Sequence, residues 1–192
     1  MTRDAGEGSS PDGSMDTGGR RRGPSIGRCI GSGSHSRGGA FCSGRRPRVI
    51  VWPFGRFSGP AVCFDAADQA IAALKAGAIR PGQVVVMRGA GVCGGPGMGG
   101  GSSRVVFAID GAGLGDQVAM LTDGHLSGLV CKGLVVAEVA PEGALCGPLA
   151  LVHDGDTITI DLDTRRCDLD VDAAVLDQRR AAWVPPKKQL DT

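Results

Sequence analysis

The chain has 192 residues, enough for one domain with a substantial core, and its 21 Lys+Arg against 20 Asp+Glu leave a net charge of +1. So even a balance argues against a partner held by a global field, such as nucleic acid or an anionic membrane surface. Gly accounts for 33 residues and aromatics for only 4%, with no tyrosine, so a core must be built from Val, Ile, Leu and Ala.

In chain order, residues 1–48 stand apart. They are Gly-, Ser- and Arg-rich with almost no aliphatic side chains, a composition that cannot offset chain entropy, so a disordered leader is expected. Arg20-Arg21-Arg22 and Arg45-Arg46 lack the interleaved aromatics that would stack bases, and Asp4, Glu7, Asp12 and Asp16 speak against a targeting peptide. With no secretory h-region and no apolar run as long as a membrane span, a cytoplasmic protein is expected.

Order is expected to begin near Val49, and a single domain to occupy residues 49–192. The run Val49–Trp52 is apolar and Pro53 stops it; Phe57-Ser58-Gly59-Pro60 reads as a turn. From Asp65 the pattern is helical. Asp65 is placed to cap, Asp68 complements the dipole, Ala67, Ala70, Ile71 and Leu74 share a face, and Gly77 closes the end. Pro81-Gly82 turns the chain into an expected buried strand, Val84–Met87.

The stretch from Gln83 to Gly128 organises the rest. Two short apolar runs, Val84–Met87 and Val118–Leu121, each lead into a glycine-dense loop, Gly89–Gly101 after the first and Asp123-Gly124 after the second. Strands that deliver polar loops to one edge of a core are the usual way a scaffold presents a site. Ser127 lies in the second loop. Beyond it, Gly133–Val139, Leu149–His153, Thr157–Leu162 and Arg166–Leu169 are strand candidates, with Asp154-Gly155 as a hairpin signal. A closing helix is expected in VDAAVLDQRRAAW, with Val171, Val175 and Leu176 on one face and Val184-Pro185-Pro186 at its end. Many short strands with two flanking helices suggest a barrel-like mixed sheet.

Taken singly, the motifs are weak. Gly94–Gly101 is glycine-rich like a phosphate cradle but lacks the Lys-Ser/Thr that follows one, and GAGLG at Gly111–Gly115 is not a dinucleotide fingerprint. The 7 cysteines (Cys29, Cys42, Cys63, Cys93, Cys131, Cys146 and Cys167) are an odd number without a CxxC pair, so they make neither a disulfide framework nor a zinc or cluster pattern. His125 and His153 are isolated, and an isolated histidine is more often a hydrogen-bonded surface residue than a base or ligand.

As an ordered series the motifs have a resemblance. VVVMRGAG and GGPGM, then GAGLGDQVAMLTDGHLSG, then APEGALCGPLALVHDGDTITIDLDTRRCDLDV and RRAAWVPP, resemble the C-terminal domain of the dihydroxy-acid and phosphogluconate dehydratase family. FSGPAVCFDAADQAIAALKAGAIRPG resembles the segment leading into it, so the likeness covers Phe57 to Pro186. It implies an α/β domain of the swivelling type, a β-barrel-like mixed sheet with flanking helices.

The resemblance also implies dehydration of a 2,3-dihydroxy acid to a 2-keto acid, in branched-chain amino-acid biosynthesis or, in a sugar-acid version, on phosphogluconate. An iron–sulfur cluster and magnesium serve that family, and a serine in TDGRFSGG takes the C2 proton. The corresponding stretch here is Thr122–Leu129, TDGHLSGL, which makes Ser127 the candidate base. (Gly55–Gly59, GRFSG, imitates the motif but lies ahead of the helix.) The family's in-domain magnesium ligand, a glutamate two residues after GGPGM, is Gly100 here, or Gly101 with a one-residue insertion; its lysine before GGPGM is Cys93. The cluster cysteines and remaining ligands belong to a large N-terminal domain whose place is taken by the leader. No cofactor is therefore expected in this chain. The partners implied are an N-terminal half in trans, a small dihydroxy acid and a family-like homodimer, with a non-catalytic or vestigial domain as the alternative reading.

Overall fold

A computed structural model describes residues 25–28, 55–97, 100–130 and 132–186. Among these, seven strands form one mixed sheet that curls into a half-barrel, with three α-helices around it. The strands are β1 (Ser25–Arg28), β2 (Arg56–Phe64), β3 (Val84–Met87), β4 (Ala119–Thr122), β5 (Leu134–Val136), β6 (Thr157–Asp161) and β7 (Arg166–Asp170), in the spatial order β1-β7-β6-β2-β3-β4-β5. β2 through β5 run parallel, while β6, β7 and β1 continue antiparallel from the other edge of β2. The apolar run Val49–Trp52 lies outside the described residues. So does most of the expected leader, except that Ser25–Arg28 forms β1 on β7.

Parallel strands buried on both faces read as continuous apolar runs, and β3 and β4 are buried along their whole length. Alternate side chains then feed two cores. Val84, Val86, Ala119 and Leu121 enter the concave core with Phe57, Ile158, Ile160, Leu149, Val152 and Leu176. Val85, Met87, Val118 and Met120 enter a second core, covered by α1 (Ala67–Lys75) and α2 (Gly100–Gly111). α1 packs as its periodicity predicts, with Ala67, Ala70, Ile71 and Leu74 all in this cluster. Its N-cap, however, is Ala66 without a side-chain bond, because Asp65 is drawn instead to Arg88 at the end of β3.

The expected turn at Phe57–Pro60 is part of β2. Its side chains alternate, Phe57, Gly59 and Ala61 buried and Ser58 and Pro60 exposed. Pro60 is tolerated because β3 pairs with β2 only from Ala61 onward, leaving this half of β2 with β6 as its one neighbour. Gly59 is required for close approach, since a Cβ there would sit 1.9 Å from the Gly82 carbonyl oxygen. α2 has no expected counterpart; its start falls in what reads as loop.

Leu149–His153 is not a strand. Pro148–Leu151 is a 3₁₀ helix with Pro148 near its start, following another at Gly143–Leu145. The hairpin consequently joins β6 to β7, and the Asp154-Gly155 turn only introduces β6. α3 (Ala173–Ala182) closes the concave core through Leu176, with Val171 packed beside it, whereas Val175 points outward. Arg179 fastens α3 by donating to both Asp156 carboxylate oxygens, the longer bond 3.0 Å, and to the Leu151 carbonyl at 2.8 Å. Burial alone would raise the Asp156 carboxyl, but the Arg179 bonds and the His153 N–H outweigh it and hold it below its ordinary range. Among the described residues, no helix is long and apolar enough to cross a membrane.

Cys63, near the end of β2, packs against the concave core. Burial pushes its thiol up to about 12, with nearby Asp154 acting the same way and Arg88 opposing. Only thiolate reacts at appreciable rate, so Cys63 should resist alkylation near neutral pH while the exposed Cys93 reacts readily. Peptide mapping after a timed iodoacetamide pulse checks this; equal labelling of the two would contradict the packing around Cys63.

Candidate functional site

The carboxyl ends of β3 and β4 open into adjacent loops, the position at which open parallel sheets bind ligands. Residues 88–97 follow β3, residues 123–130 follow β4, and residues 137–142 follow β5. Asp123, directly after β4 and only 3% exposed, ties the loops after β3 and β4 to Gly143, the residue that follows the β5 loop. Its carboxylate accepts from Gly89 N–H (Oδ2, 2.9 Å), Ala90 N–H (Oδ1, 2.9 Å) and Gly143 N–H (Oδ2, 2.8 Å). An acceptor-only group meeting backbone donors gives charge-assisted bonds, about twice as strong as neutral ones. Glu142 adds a second tie, its Oε2 accepting from Cys93 N–H at 2.8 Å inside the loop after β3.

The next layer links the β4 loop to α2. Thr122 Oγ1 lies 3.1 Å from Ser102 Oγ and accepts from Gly124 N–H at 3.0 Å. Ser103 Oγ accepts from Ser127 N–H at 2.8 Å. The buried hydroxyls of the first turn of α2 thus set the height of the β4 loop, and with it the placement of Ser127. On the opposite side Val139 N–H donates to the Thr122 carbonyl (3.1 Å) and Glu138 N–H to the Gly124 carbonyl (3.2 Å).

Ser127 itself is half-buried, and among the described residues its Oγ accepts only a long contact from Leu129 N–H, 3.4 Å. His125, two residues earlier, pairs through Nδ1 with Glu138 Oε1 at 3.1 Å. His153 belongs to a different loop, the turn before β6, where its N–H donates to Asp156. Asp123, Ser102, Ser103 and Glu142 were not legible as site residues. The available signal was an aspartate placed immediately after a fully buried strand, where its carboxylate has only backbone to bind.

Among the described residues no three His, Cys, Asp or Glu side chains come together to hold an ion. Gly100 and Gly101, where the resemblance leads one to expect a magnesium ligand, open α2 and carry no side chain. The space for one exists, since a Cβ on Gly100 would meet no atom within 4 Å.

Comparison with known proteins agrees with the ordered motifs. Residues 49–192 match the family described as dihydroxy-acid/6-phosphogluconate dehydratase C-terminal. The chain is 42% identical over 167 residues to a dihydroxy-acid dehydratase of Ignicoccus hospitalis, covering 87% of this chain and 29% of that protein. It is 51% identical over 132 residues to one of Chloroflexus aggregans, covering 67% of this chain and 22% of that one. A Parvibaculum lavamentivorans protein of the same name is 47% identical over 130 residues, covering 68% and 22% respectively. The chain therefore spans less than a third of the length of these relatives. With the match running from β2 through α3, the chain belongs to the dihydroxy-acid/6-phosphogluconate dehydratase C-terminal family.

Proposed function

We propose that this chain is the C-terminal domain of a dihydroxy-acid dehydratase, a hydro-lyase that converts 2,3-dihydroxy acids to 2-keto acids in branched-chain amino-acid biosynthesis. The carrying observation is the placement of the motif serine. Ser127 stands on the loop after β4, held from α2 by Ser103, in a chain 42% and 51% identical to proteins of that name. In this reading Ser127 Oγ takes the C2 proton. A neutral hydroxyl is a weak base, so the step needs a cation or a proton acceptor near Oγ.

The cluster and magnesium of the complete enzyme would be held by an N-terminal half, which is the partner this domain requires. A glycine at position 100 favours a second reading, a domain that has become non-catalytic. Both readings share one consequence: the chain alone should form no keto acid from 2,3-dihydroxyisovalerate or 6-phosphogluconate. It should also stay colourless and free of stoichiometric iron after anaerobic reconstitution. Keto-acid formation by the unaided chain, abolished by Ser127→Ala, would overturn the proposal and make this a self-sufficient dehydratase.

A further inference from the structure

Among the described residues Ser127 is bonded at three points, two on its backbone and one on its side chain. Its N–H donates to Ser103 Oγ at 2.8 Å, and its carbonyl accepts from Val130 N–H at 2.9 Å. Its Oγ accepts from Leu129 N–H at 3.4 Å. The carbonyl bond closes a β-turn from Ser127 to Val130. The bond to Oγ lies inside that turn, as serine hydroxyls do with the backbone two residues on.

Both ends of the turn are anchored on the helix side of the sheet. Ser103 is 4% exposed on α2, and Val130, 2% exposed, belongs to the core that holds Val105, Val106 and Met120. Between these anchors the Leu129 side chain stands in solvent, 79% exposed. The turn, and not the packing of its own side chain, therefore aims the Leu129 N–H at Oγ.

Such a donor matters little while the oxygen is neutral. Once the oxygen is charged the bond is about twice as strong. Backbone N–H groups fixed in advance stabilise oxyanions in this way, and catalytic bonds that are long at rest tighten as charge develops. We infer that the Leu129 N–H is the donor that stabilises Ser127 Oγ as an alkoxide. The Ser127 O–H bond breaks, the proton leaves on a solvent hydroxide as water, and the electron pair stays on Oγ, facing the N–H. This deepens the proposed function and rests on it in one respect, that Ser127 is the working serine: the oxygen so prepared is the one that takes the C2 proton. Leu129 acts through its main chain alone, and Ser103 and Val130 are positioning residues.

A thiol in place of the hydroxyl reads the same donor without metal or substrate. In Ser127→Cys the thiolate would receive the Leu129 N–H, so its ionisation midpoint should lie about one pH unit below the ordinary cysteine value of about 8.5. The midpoint is taken on the full chain from iodoacetamide labelling rates against pH, each cysteine being followed by peptide mass spectrometry. Replacing the Leu129 amide by an ester, introduced as the α-hydroxy analogue of leucine, deletes the N–H and keeps the side chain; the midpoint should return to the ordinary value. Leu129→Ala keeps the N–H and should keep the lowered midpoint, whereas Ser103→Ala, which frees one end of the turn, should raise it part of the way. A midpoint at or above the ordinary value in Ser127→Cys would overturn the inference, and that result needs no change to the backbone. So would a midpoint that stays lowered in the ester, or one that Leu129→Ala restores. No keto acid is measured, so a chain that fails as a dehydratase but shows the ester-sensitive midpoint would refute the proposed function and leave the donor standing.

Discussion

Replacing Asp123 with alanine should lower stability by about 3–6 kcal/mol, because one buried and two part-buried backbone N–H groups lose their acceptor at once. A stranded buried donor costs about 1–3 kcal/mol, and a part-buried one falls toward the lower end of that range. Against a typical domain stability of about 5–15 kcal/mol, that is a large fraction. At about 2–4 °C per kcal/mol for a domain of this size, the midpoint should fall by about 10–20 °C. Asp123→Asn keeps the shape and one acceptor oxygen while turning its NH₂ toward donors, so its loss should be smaller but clear. Urea or thermal unfolding of the three proteins decides this. An alanine variant within about 1 kcal/mol of the parent would mean that the loops after β3, β4 and β5 do not depend on this carboxylate.

Gly59→Ala should be the most damaging single methyl group that can be added to β2. The added Cβ would lie 1.9 Å from the Gly82 carbonyl oxygen and 3.0 Å from its carbonyl carbon. These are backbone atoms, so no rotamer change relieves the clash. Either β2 or the Pro81-Gly82 turn must move, and with it the register of β2 against β3 and β6. Overpacking of this kind costs about 1–3 kcal/mol where side chains can yield, and the rigid neighbour puts this case at or above the upper end. Gly100→Ala is the matched control. Its Cβ meets nothing within 4 Å, so the variant should unfold within about 0.5 kcal/mol of the parent, as for surface substitutions generally. Equal behaviour of the two variants would contradict the close approach at Gly59.

These residues also mark how far the sequence could be read. Val84–Met87 and the α1 face of Ala67, Ala70, Ile71 and Leu74 were legible because one physical signal dominated each: a continuous apolar run, or a clean helical period. The strand at Val118–Leu121 was legible to within one residue. β2 was not, because Gly59 and Pro60 mean turn in isolation. Here they mean backbone contact with Gly82 and a locally unpaired edge, both set by residues 20 or more positions away. α2 was hidden by its glycine and serine start, although Val105, Val106 and Ile109 follow helical spacing. The apolar run at Leu149–Val152 matched a strand by composition, and Pro148 turned it into a 3₁₀ helix. Ser127 is a candidate supplied by the ordered motifs. The Asp123 clamp was invisible because its partners are main-chain N–H groups, which leave no mark on side-chain chemistry.

The proposed role of Ser127 is that of the base in a dehydratase C-terminal domain that works together with an N-terminal half. The most direct test combines the chain with the N-terminal portion of the Chloroflexus aggregans dihydroxy-acid dehydratase, which is 51% identical to it over 132 residues. Keto-acid formation from 2,3-dihydroxyisovalerate is then followed under anaerobic conditions with iron, sulfide and magnesium. The unaltered chain should give little or no product, since position 100 carries no ligand. Gly100→Glu, whose Cβ would meet no atom within 4 Å, should yield keto acid, and adding Ser127→Ala to it should abolish the product. No product from Gly100→Glu, when the relative's own C-terminal portion restores activity, would contradict the account; so would product that persists without the Ser127 hydroxyl.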